Sequence, residues 1–459
     1  MAKDISRRLF MAHSGALLAG TLGIGACQTT GVTRSPRPNI VLILADDLGY
    51  GDIACYGCED TRTPNIDRIA TEGVRFTSFY SNGPECSPTR TALLTGRYQH
   101  RVGGLECAIG TGNVGRYDDA IRLRASHDLG LPASETSIAK MLKSAGYATG
   151  LCGKWHLGYE SKFFPSHHGF DYWFGPVGGA TDYFHHCEST GQPAVYRNGA
   201  PVDREGYLTD LITEESIGFI RGNSRHPFFL YVAYTAPHTP YLGPNDRRPD
   251  PVREEDYNKG SRRTYVAMVE RMDEGVGAIL NALRNNGLAQ NTLVIFMSDN
   301  GATNVGRNAP FSGNKGNVFE GGIRVPCTVR WPGMLPPGVV SFQPCMTMDF
   351  SSSITRAAGA QAPRPFDGID ILKLLETGQT VQPRTLFWRA RRGPWTRKAV
   401  RDADLKYIAL HNGDKVQEYL FDLDADPGEK NNLLASKPET AERLRRLLQE
   451  WEDKVRPGR

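Results

Sequence analysis

The feature that most constrains the fold of this chain is a set of short apolar runs of strand length, separated by segments with helical periodicity. The first run, Asn39 to Ala45, is apolar at every position after Asn39, which is typical of a strand covered on both faces. Similar runs occur at Tyr147 to Cys152, Phe228 to Tyr234 and Thr292 to Met297, while Tyr265 to Asn285 has apolar residues at helical spacing. This alternation predicts an α/β fold with a large mixed, mostly parallel sheet sandwiched by helices.

The pattern changes beyond Asp370, where strand-like segments follow each other without long helices between them. These segments are Leu386 to Arg389, Leu405 to His411 and Glu418 to Asp422, followed by a helical pattern from Glu439 to Val455. A length of 459 residues fits two or three domains. We therefore expect an α/β domain over residues 36–375 and a smaller α+β domain with an antiparallel sheet over residues 376–459.

Composition indicates an ordinary globular protein and gives no support to nucleic-acid binding. The formal charge is +4, from 54 Lys and Arg against 50 Asp and Glu, and no basic block stands out after the N-terminal segment. We therefore expect no nucleic acid among the partners of this chain.

Residues 1–27 have the pattern of an export signal. Arg7 and Arg8 precede a short apolar run, Ala16 to Ala26, that stops at Cys27; the run is shorter than the ~20 residues that span a bilayer. The paired arginines resemble a twin-arginine signal, and the sequence before Cys27 resembles a lipoprotein cleavage box. We expect a periplasmic or outer-membrane lipoprotein of a Gram-negative bacterium, attached to the membrane only through a lipid on Cys27. The alternative is an uncleaved hydrophobic anchor.

The chain has nine cysteines, an odd number for an exported protein. Cys27 is assigned to the lipid. Cys55 and Cys58 have the spacing of a redox or zinc pair, but without a second such pair a local disulfide or two free thiols is the favoured interpretation. Cys86 differs from the others in its local sequence.

Polar oxygen-bearing residues follow two of the predicted strands. Asp46 and Asp47 come directly after the first strand, and Asp299 and Asn300 follow the strand that begins at Thr292. Ligands of open α/β sheets gather at the carboxyl ends of strands, and adjacent carboxylates repel unless a cation neutralises them. A hard divalent cation with oxygen ligands fits this pattern. For either pair alone, a turn or a helix cap is the simpler explanation.

The segment from Cys86 to Gly96 predicts a helix that starts at the cysteine. Pro88 suits a first helical turn and Gly96 suits a helix end. Cys86 would then lie at a helix N-terminus, where an anion is stabilised, and Arg90 would project one turn further on the same face.

At this point the sequence resembles the type I sulfatases of the alkaline phosphatase superfamily, and within them the branch of N-acetylgalactosamine-6-sulfatase and arylsulfatase A. The resemblance begins with the five residues Cys86 to Arg90 and extends, in the family's order, from Pro38 to about Leu434. Its other segments are Gly146 to His156, Ala236 to His238, Ser298 to Gly301, and Lys315 with Glu320 to Pro326. Glu85 and Cys152 depart from the residues that are common in the family at those positions.

The resemblance implies hydrolysis of a sulfate ester by formylglycine, made from Cys86 by a formylglycine-generating maturation enzyme. One hydroxyl of the hydrated aldehyde attacks sulfur, and the other later loses its proton to expel sulfate and restore the aldehyde. The implied substrate is a sulfated carbohydrate, such as a sulfated galactose or N-acetylgalactosamine polysaccharide or a glycosaminoglycan fragment. One calcium ion is implied per chain, with the ligands Asp46, Asp47, Asp299, Asn300 and modified Cys86.

The resemblance also assigns roles to basic side chains. Arg90 holds the diol, and His156 takes the proton of its second hydroxyl. Lys154 and Lys315 clamp the sulfate, and His238 protonates or hydrogen-bonds the leaving oxygen.

Two further residues are candidates for substrate binding. Asp182 and His185 lie in a segment, Gly178 to His185, that helps to form the substrate pocket in related sulfatases. A role in packing the loop is the alternative.

Three other functions are compatible with parts of the sequence. They are a phosphatase or phosphodiesterase of the same superfamily, an inactive lipoprotein that binds sulfated glycans, and a hydrolase that uses an unmodified thiol at Cys86. The first commonly uses zinc with histidine ligands, the second does not require the full set of basic residues, and the third lacks a recognisable base.

Overall fold

The structure is a computed structural model that describes residues 37–378 and 381–456. The predicted export signal, with Arg7, Arg8 and Cys27, lies outside the described residues and stays a prediction. None of the described helices is long and apolar enough to cross a membrane.

Sixteen strands are described, and they form three sheets. They are β1 (Asn39–Ala45), β2 (Val74–Phe76), β3 (Phe79–Tyr80), β4 (Ala148–Gly153), β5 (Tyr172–Pro176), β6 (Val195–Arg197), β7 (Ala200–Pro201), β8 (Phe228–Ala233), β9 (Thr292–Ser298), β10 (Cys327–Arg330), β11 (Val339–Ser341), β12 (Cys345–Met346), β13 (Thr385–Arg392), β14 (Trp395–Asp402), β15 (Leu405–Asn412) and β16 (Lys415–Asp422).

Ten α-helices are described over the same residues. They are α1 (Pro64–Thr71), α2 (Cys86–Thr95), α3 (Asp118–Ala125), α4 (Ile138–Ser144), α5 (Leu208–Gly222), α6 (Arg262–Asn285), α7 (Glu320–Ile323), α8 (Asp349–Ala357), α9 (Ile371–Glu376) and α10 (Pro438–Val455).

The large sheet has ten strands in the order β11-β2-β10-β9-β1-β8-β4-β5-β6-β7. Its central strands, β9, β1, β8, β4 and β5, are all parallel, whereas β10, β6 and β7 pair antiparallel with their neighbours. The predicted mixed, mostly parallel sheet is therefore confirmed. Because the central strands are parallel, their carboxyl ends lie at one edge of the sheet.

The packing of strand β1 explains why its sequence is apolar from Ile40 to Ala45. Ile40, Leu42 and Leu44 belong to one buried core with residues of α2, α4, α8 and α9. Val41 and Ile43 belong to a second core with residues of α1, α5 and α6. Alternate side chains enter opposite cores, so apolar residues are needed on both faces of the strand from Ile40 to Leu44.

The C-terminal sheet is antiparallel in the order β13-β14-β15-β16 and packs against α10. Of its strands, β14 is absent from the sequence prediction, because Arg397, Lys398 and Arg401 interrupt its apolar pattern. A third core joins this sheet to the two-stranded parallel sheet of β3 and β12, since Trp388 and Tyr407 share it with Tyr80 and Met346. The division into domains at residues 375 and 376 stays a prediction.

The eight cysteines in the described part of the chain are all free thiols. Cys55 and Cys58 therefore form no disulfide, and the Sγ of Cys58 lies 3.1 Å from an oxygen of Asp60.

Candidate active site

Two neighbouring strand ends bring four oxygen-bearing side chains together. Ala45 at the end of β1 is paired with Ser298 at the end of β9. Asp46 and Asp47 therefore lie beside Asp299 and Asn300, and all four residues are fully buried. The sequence prediction that these pairs converge is correct, because parallel pairing places the two strand ends at the same level.

Hydrogen bonds hold the two strand ends in one arrangement. The backbone N–H of Asp47 donates to Oδ1 of Asp299 (3.2 Å), and Nδ2 of Asn300 donates to Oδ1 of Asp47 (2.7 Å). Asp47 has a φ of 64°, a left-handed conformation that is costly for a residue with a Cβ. The carbonyl oxygen of the Asn300 side chain is buried and has no hydrogen-bond partner among the described residues.

Cys86 is the first residue of α2, as predicted from the positions of Pro88 and Gly96. Gly96 ends the helix with a φ of 69°, which glycine adopts at little cost. The Sγ of Cys86 is 3.2 Å from Oδ1 of Asp46 and 3.4 Å from Nζ of Lys154. The helix start and the first strand end thus meet at one point.

Arg90 projects from the second turn of α2 onto the strand ends. Its Nη2 donates to Oδ2 of Asp299 at 2.9 Å and lies 3.7 Å from Oδ2 of Asp46. Its Nη1 donates to the carbonyl oxygen of Lys154 at 2.9 Å. Because Arg90 is fully buried, these contacts fix its guanidinium between the carboxylates and the segment that follows β4.

Lys154 and His156 follow β4 directly. Nζ of Lys154 contacts a carboxylate oxygen of Asp46. Nε2 of His156 is 2.8 Å from the carbonyl oxygen of Ile109, so this nitrogen carries the proton when the ring is neutral. Burial, and then the charge of Lys154, hold the pKa of His156 well below its usual value. Nδ1 of His156 is therefore an acceptor, and it has no partner among the described residues.

His238 and Lys315 approach Asp47 from two loops. Nζ of Lys315 donates to Oδ2 of Asp47 at 2.8 Å, and Nε2 of His238 is 3.6 Å from the same oxygen. Nδ1 of His238 is 2.7 Å from the carbonyl oxygen of Thr239, so Nε2 is the unprotonated nitrogen of the neutral ring. Burial, and then Lys315, lower the pKa of His238 to about 4.

The cluster has equal numbers of acidic and basic side chains. Three buried carboxylates, of Asp46, Asp47 and Asp299, face the cations of Arg90, Lys154 and Lys315. One ligand atom from each of Asp46, Asp47, Cys86 and His238 lies within 4.8 Å of the others. The described residues thus include a possible metal-binding cluster, to which His238 adds a nitrogen that sequence reasoning did not include.

Burial affects the reactivity of Cys86. Desolvation, and then the carboxylate of Asp46, raise the pKa of its thiol well above the ordinary value. A thiolate is the reactive form of cysteine, so these surroundings disfavour the thiol-dependent hydrolase that the sequence left open.

A cavity of about 460 Å³ opens above the cluster. It is lined by predicted site residues and by residues that sequence reasoning missed. The first group is Asp47, Cys86, His156, His238 and Lys315, and the second includes Glu85, Thr111, Val114, Arg116, Tyr257, Asn258, Thr303 and Arg392. Of the second group, only Glu85 gave a sequence signal, as a departure from the family pattern.

Asp182 and His185 do not line this cavity in the described part of the chain. Oδ1 of Asp182 accepts hydrogen bonds from the backbone of Phe184 and His185 (both 2.9 Å), and Oδ2 accepts one from Val252 (3.0 Å). These are the contacts of the loop-packing alternative. A substrate-binding role for either residue stays a prediction.

Comparisons with known proteins agree with this geometry. The profile of the sulfatase family matches residues 38–360, and that of the C-terminal part of N-sulphoglucosamine sulphohydrolase matches residues 313–456. N-acetylgalactosamine-6-sulfatase of Sus scrofa is 33% identical over 486 residues, covering 93% of this chain and 88% of the relative. Steryl-sulfatase of Mus musculus is 33% identical and covers 88% of this chain and 74% of the relative.

A solved structure is similar over nearly the whole described chain. It is the crystal structure of Ps i-CgsB in complex with k-i-k-neocarrahexaose, with 31% sequence identity, a TM-score of 0.78, and coverage of 92% of this chain and 94% of that one. The mixed sheet, the cluster at its strand ends and these similarities define a hydrolase of the alkaline phosphatase superfamily. The chain belongs to the sulfatase family and is a type I sulfatase.

Proposed function

We propose that this sulfatase removes sulfate from a sulfated carbohydrate, with Cys86 converted to formylglycine by a maturation enzyme and one calcium ion held beside it. The observation that carries the proposal is the position of residue 86. Its Sγ lies at the floor of the cavity, 3.2 Å from Asp46 and 3.4 Å from the ammonium of Lys154. A nucleophile at this position would attack an anionic ester whose negative charge is stabilised by the ammonium of Lys154.

The residues around Cys86 fit a calcium ion. The donors are mainly carboxylate and amide oxygens, which calcium prefers, and the unpartnered Oδ1 of Asn300 is a ready ligand. Asp46, Asp47, Asp299, Asn300 and residue 86 would hold the ion, and it would stabilise negative charge on the sulfuryl oxygens and favour ionisation of the attacking hydroxyl.

The basic residues have complementary tasks in this proposal. Asp46 and Asp47 hold Lys154 and Lys315 beside residue 86, where both ammonium groups would face the sulfuryl oxygens, and Arg90 would keep residue 86 and Asp299 in place. Such pre-positioned cations stabilise the charge of the transition state without later reorganisation.

The two histidines differ in what they can do with a proton. Nδ1 of His156 is a buried acceptor without a partner, so it can take the proton of the second hydroxyl of residue 86. His238 donates from Nδ1 to Thr239, so it can give a proton to the leaving oxygen only after Nε2 has been protonated. The pKa of about 4 disfavours the doubly protonated ring of His238, whereas the nearby carboxylate of Asp47 favours it.

The carbohydrate substrate is supported by the neighbouring structure and by the cavity. Ps i-CgsB is described in complex with a neocarrahexaose, and the relative from Sus scrofa is named for a sulfated amino sugar. The cavity has the volume of small-molecule sites, and Thr111, Asn258 and Thr303 give it groups that can hydrogen-bond sugar hydroxyls. We also propose export and lipidation at Cys27, on the sequence pattern alone.

The test is sulfate release by protein produced together with a formylglycine-generating enzyme. We expect wild-type protein to cleave a sulfated galactose or N-acetylgalactosamine derivative and an aryl sulfate, and Cys86→Ala to lose this turnover by several orders of magnitude. Cys345→Ala is the matched control, because it removes a fully buried thiol away from the cavity. Mass spectrometry of the peptide with residue 86 should show the aldehyde.

Two results would contradict the proposal. Unmodified cysteine at residue 86 in active protein would remove the proposed nucleophile, and faster cleavage of a phosphate ester than of the sulfate ester of the same phenol would favour the phosphatase alternative. Calcium binding is tested separately by titration calorimetry on metal-free protein, with Asn300→Ala expected to weaken it.

A further inference from the structure

Two arginines from distant parts of the chain lie on one wall of the cavity. Arg116 precedes α3, and Arg392 is the last residue of β13, at the tip of the β13–β14 hairpin. Neither belongs to the residues that face the reacting group at Cys86. Both are absent from the motifs that carry the family resemblance.

Hydrogen bonds connect the tip of the β13–β14 hairpin to the segment that contains Arg116. The backbone N–H of Gly393 donates to the carbonyl oxygen of Arg116 at 2.7 Å. Arg391 makes two hydrogen bonds to the carboxylate of Asp118, at 2.7 and 2.8 Å. Since these contacts lie on either side of Arg392 along the chain, the positions of Arg116 and Arg392 on this wall are set together.

Glu85 explains how Arg392 is oriented. Its carboxylate is buried, accepts a hydrogen bond from the backbone N–H of Ala108 (2.8 Å), and lies 3.2 Å from Nη1 of Arg392. Because Glu85 directly precedes Cys86, this contact places Arg392 close to the reacting residue. The unusual glutamate of the sequence therefore has a structural partner in the C-terminal sheet.

The wall has more positive charge than its carboxylate neutralises. Arg392 is paired with Glu85 but remains half exposed, with 47% of its side chain accessible. Arg116 has no ion-pair partner among the described residues. The other lining carboxylates are Asp47, which is paired with Lys315, and the exposed Glu254. An anion at this wall would gain charge-assisted hydrogen bonds without displacing a buried ion pair.

Electrostatics at a nearby buried thiol agree with this arrangement. Burial, and then the carboxylate of Glu85, raise the pKa of Cys107, and the charges of Arg116 and Arg392 oppose that rise. The positive charges of both arginines thus reach the same thiol, that of Cys107. Val114, which is 51% exposed, lines the cavity as well and offers an apolar contact for a sugar ring.

We propose that Arg116 and Arg392 bind a second anionic group of the substrate, a sulfate or a carboxylate, so that the enzyme selects sugars with an acidic group besides the sulfate it removes. Guanidinium groups suit either anion, because their planar N–H donors match two oxygens at once. This inference rests on the proposed function and specifies its substrate class. Glu85 acts through Arg392 as a positioning residue.

The test compares three sulfated disaccharides that share the same reacting sulfate. One has no other charge, one has a second sulfate, and one has a carboxylate on the neighbouring sugar. For matured wild-type protein we expect kcat/KM roughly 100-fold higher for a dianionic substrate than for the monosulfated one, about tenfold for each arginine, with the gain in KM; tenfold corresponds to ~1.4 kcal/mol. The preference should fall as salt concentration rises.

Substitutions assign that preference to the two arginines. Arg116→Gln and Arg392→Gln should each reduce the ratio of the two kcat/KM values by roughly tenfold, the gain expected of one charged contact. Arg443→Gln is the matched control, since Arg443 pairs with Asp402 and does not line the cavity. It should leave the ratio at the wild-type value.

The outcomes separate this inference from the function beneath it. If no ester is cleaved by protein with formylglycine at residue 86, the proposed function fails. If wild-type protein cleaves the mono- and dianionic substrates equally, or if both arginine variants keep the wild-type ratio, only the second anion site is overturned. A higher kcat/KM for the disulfated or for the carboxylated substrate identifies which anion the wall selects.

Discussion

Replacing Lys154 by alanine tests the balance of charges at the strand ends. Lys154 has 1% of its side chain accessible and contacts Asp46 and Cys86. Its removal leaves three buried carboxylates with two cations. Breaking a buried ion pair in this way costs ~3–5 kcal/mol, so we expect a loss of that size in the free energy of unfolding of metal-free Lys154→Ala.

The loss of stability should depend on calcium. A divalent cation at Asp46 and Asp47 would compensate the missing ammonium, so the difference from wild type should shrink when calcium replaces chelator. The measurement is equilibrium unfolding in urea under both conditions. Lys162→Ala is the control, because Lys162 forms an ion pair with Asp128 in which both side chains are about half exposed, and such surface pairs contribute ~0–1 kcal/mol.

Turnover provides a second measure of the same variant. Loss of one pre-positioned donor to developing charge reduces kcat by ~100- to 1000-fold, so Lys154→Ala should lose aryl sulfatase activity by that factor while calcium restores its stability. An equal loss of stability with and without calcium would show that the ammonium of Lys154 does not balance the charge of carboxylates that bind a metal. Activity within tenfold of wild type would show that it does not contact the sulfate.

Other predictions concern the structure that supports the site. Nζ of the fully buried Lys406 lies 2.7 Å from a carboxylate oxygen of Glu320 and 2.9 Å from one of Glu429. Lys406→Met should therefore lower the free energy of unfolding, measured by urea denaturation, by ~3–5 kcal/mol. Adding Glu429→Gln should restore part of this loss, because it removes one of the carboxylates left without a cation. Asp273 accepts hydrogen bonds from the first turn of α1, and burial raises its pKa from 3.8 to about 6. Because the folded-state pKa is the higher one, its stabilising effect is full below pH 3.8 and is lost as pH rises through 6. The stability of wild type relative to Asp273→Asn should therefore fall by up to ~3 kcal/mol between these pH values; a flat difference would contradict the assignment.

Local sequence was sufficient to predict the cluster of carboxylates at the carboxyl edge of the sheet. Asp46 and Asp299 directly follow strands whose apolar patterns are unambiguous, and parallel pairing then determines that they meet. Cys86 was placed at a helix start by Pro88 and Gly96, which act within a few residues. Such predictions need only short-range rules and one pairing of strands.

Short-range rules could not predict the cavity wall that contains Arg116 and Arg392. It depends on contacts between segments far apart in the chain, and on β14, whose charged residues hide its strand pattern. Lys315 was found only through the family resemblance, because the irregular loop that holds it has no periodicity. Asp182 had a suggestive position, but its oxygens are occupied by the backbone of its own loop and by Val252.

The hydrogen bond between Gly393 and Arg116 places a hairpin of the C-terminal sheet at the wall of the cavity, which bears on how substrate specificity could evolve. Cys86 and the basic residues around it lie at the strand ends of the large sheet, whereas the tip between β13 and β14 reaches the cavity wall from the other end of the chain. With the proposed anion site at this tip, changes in a few hairpin residues would alter which sulfated sugar is bound and leave the reaction itself intact. Exchanging this short loop between paralogues would be a direct route to new desulfating specificities.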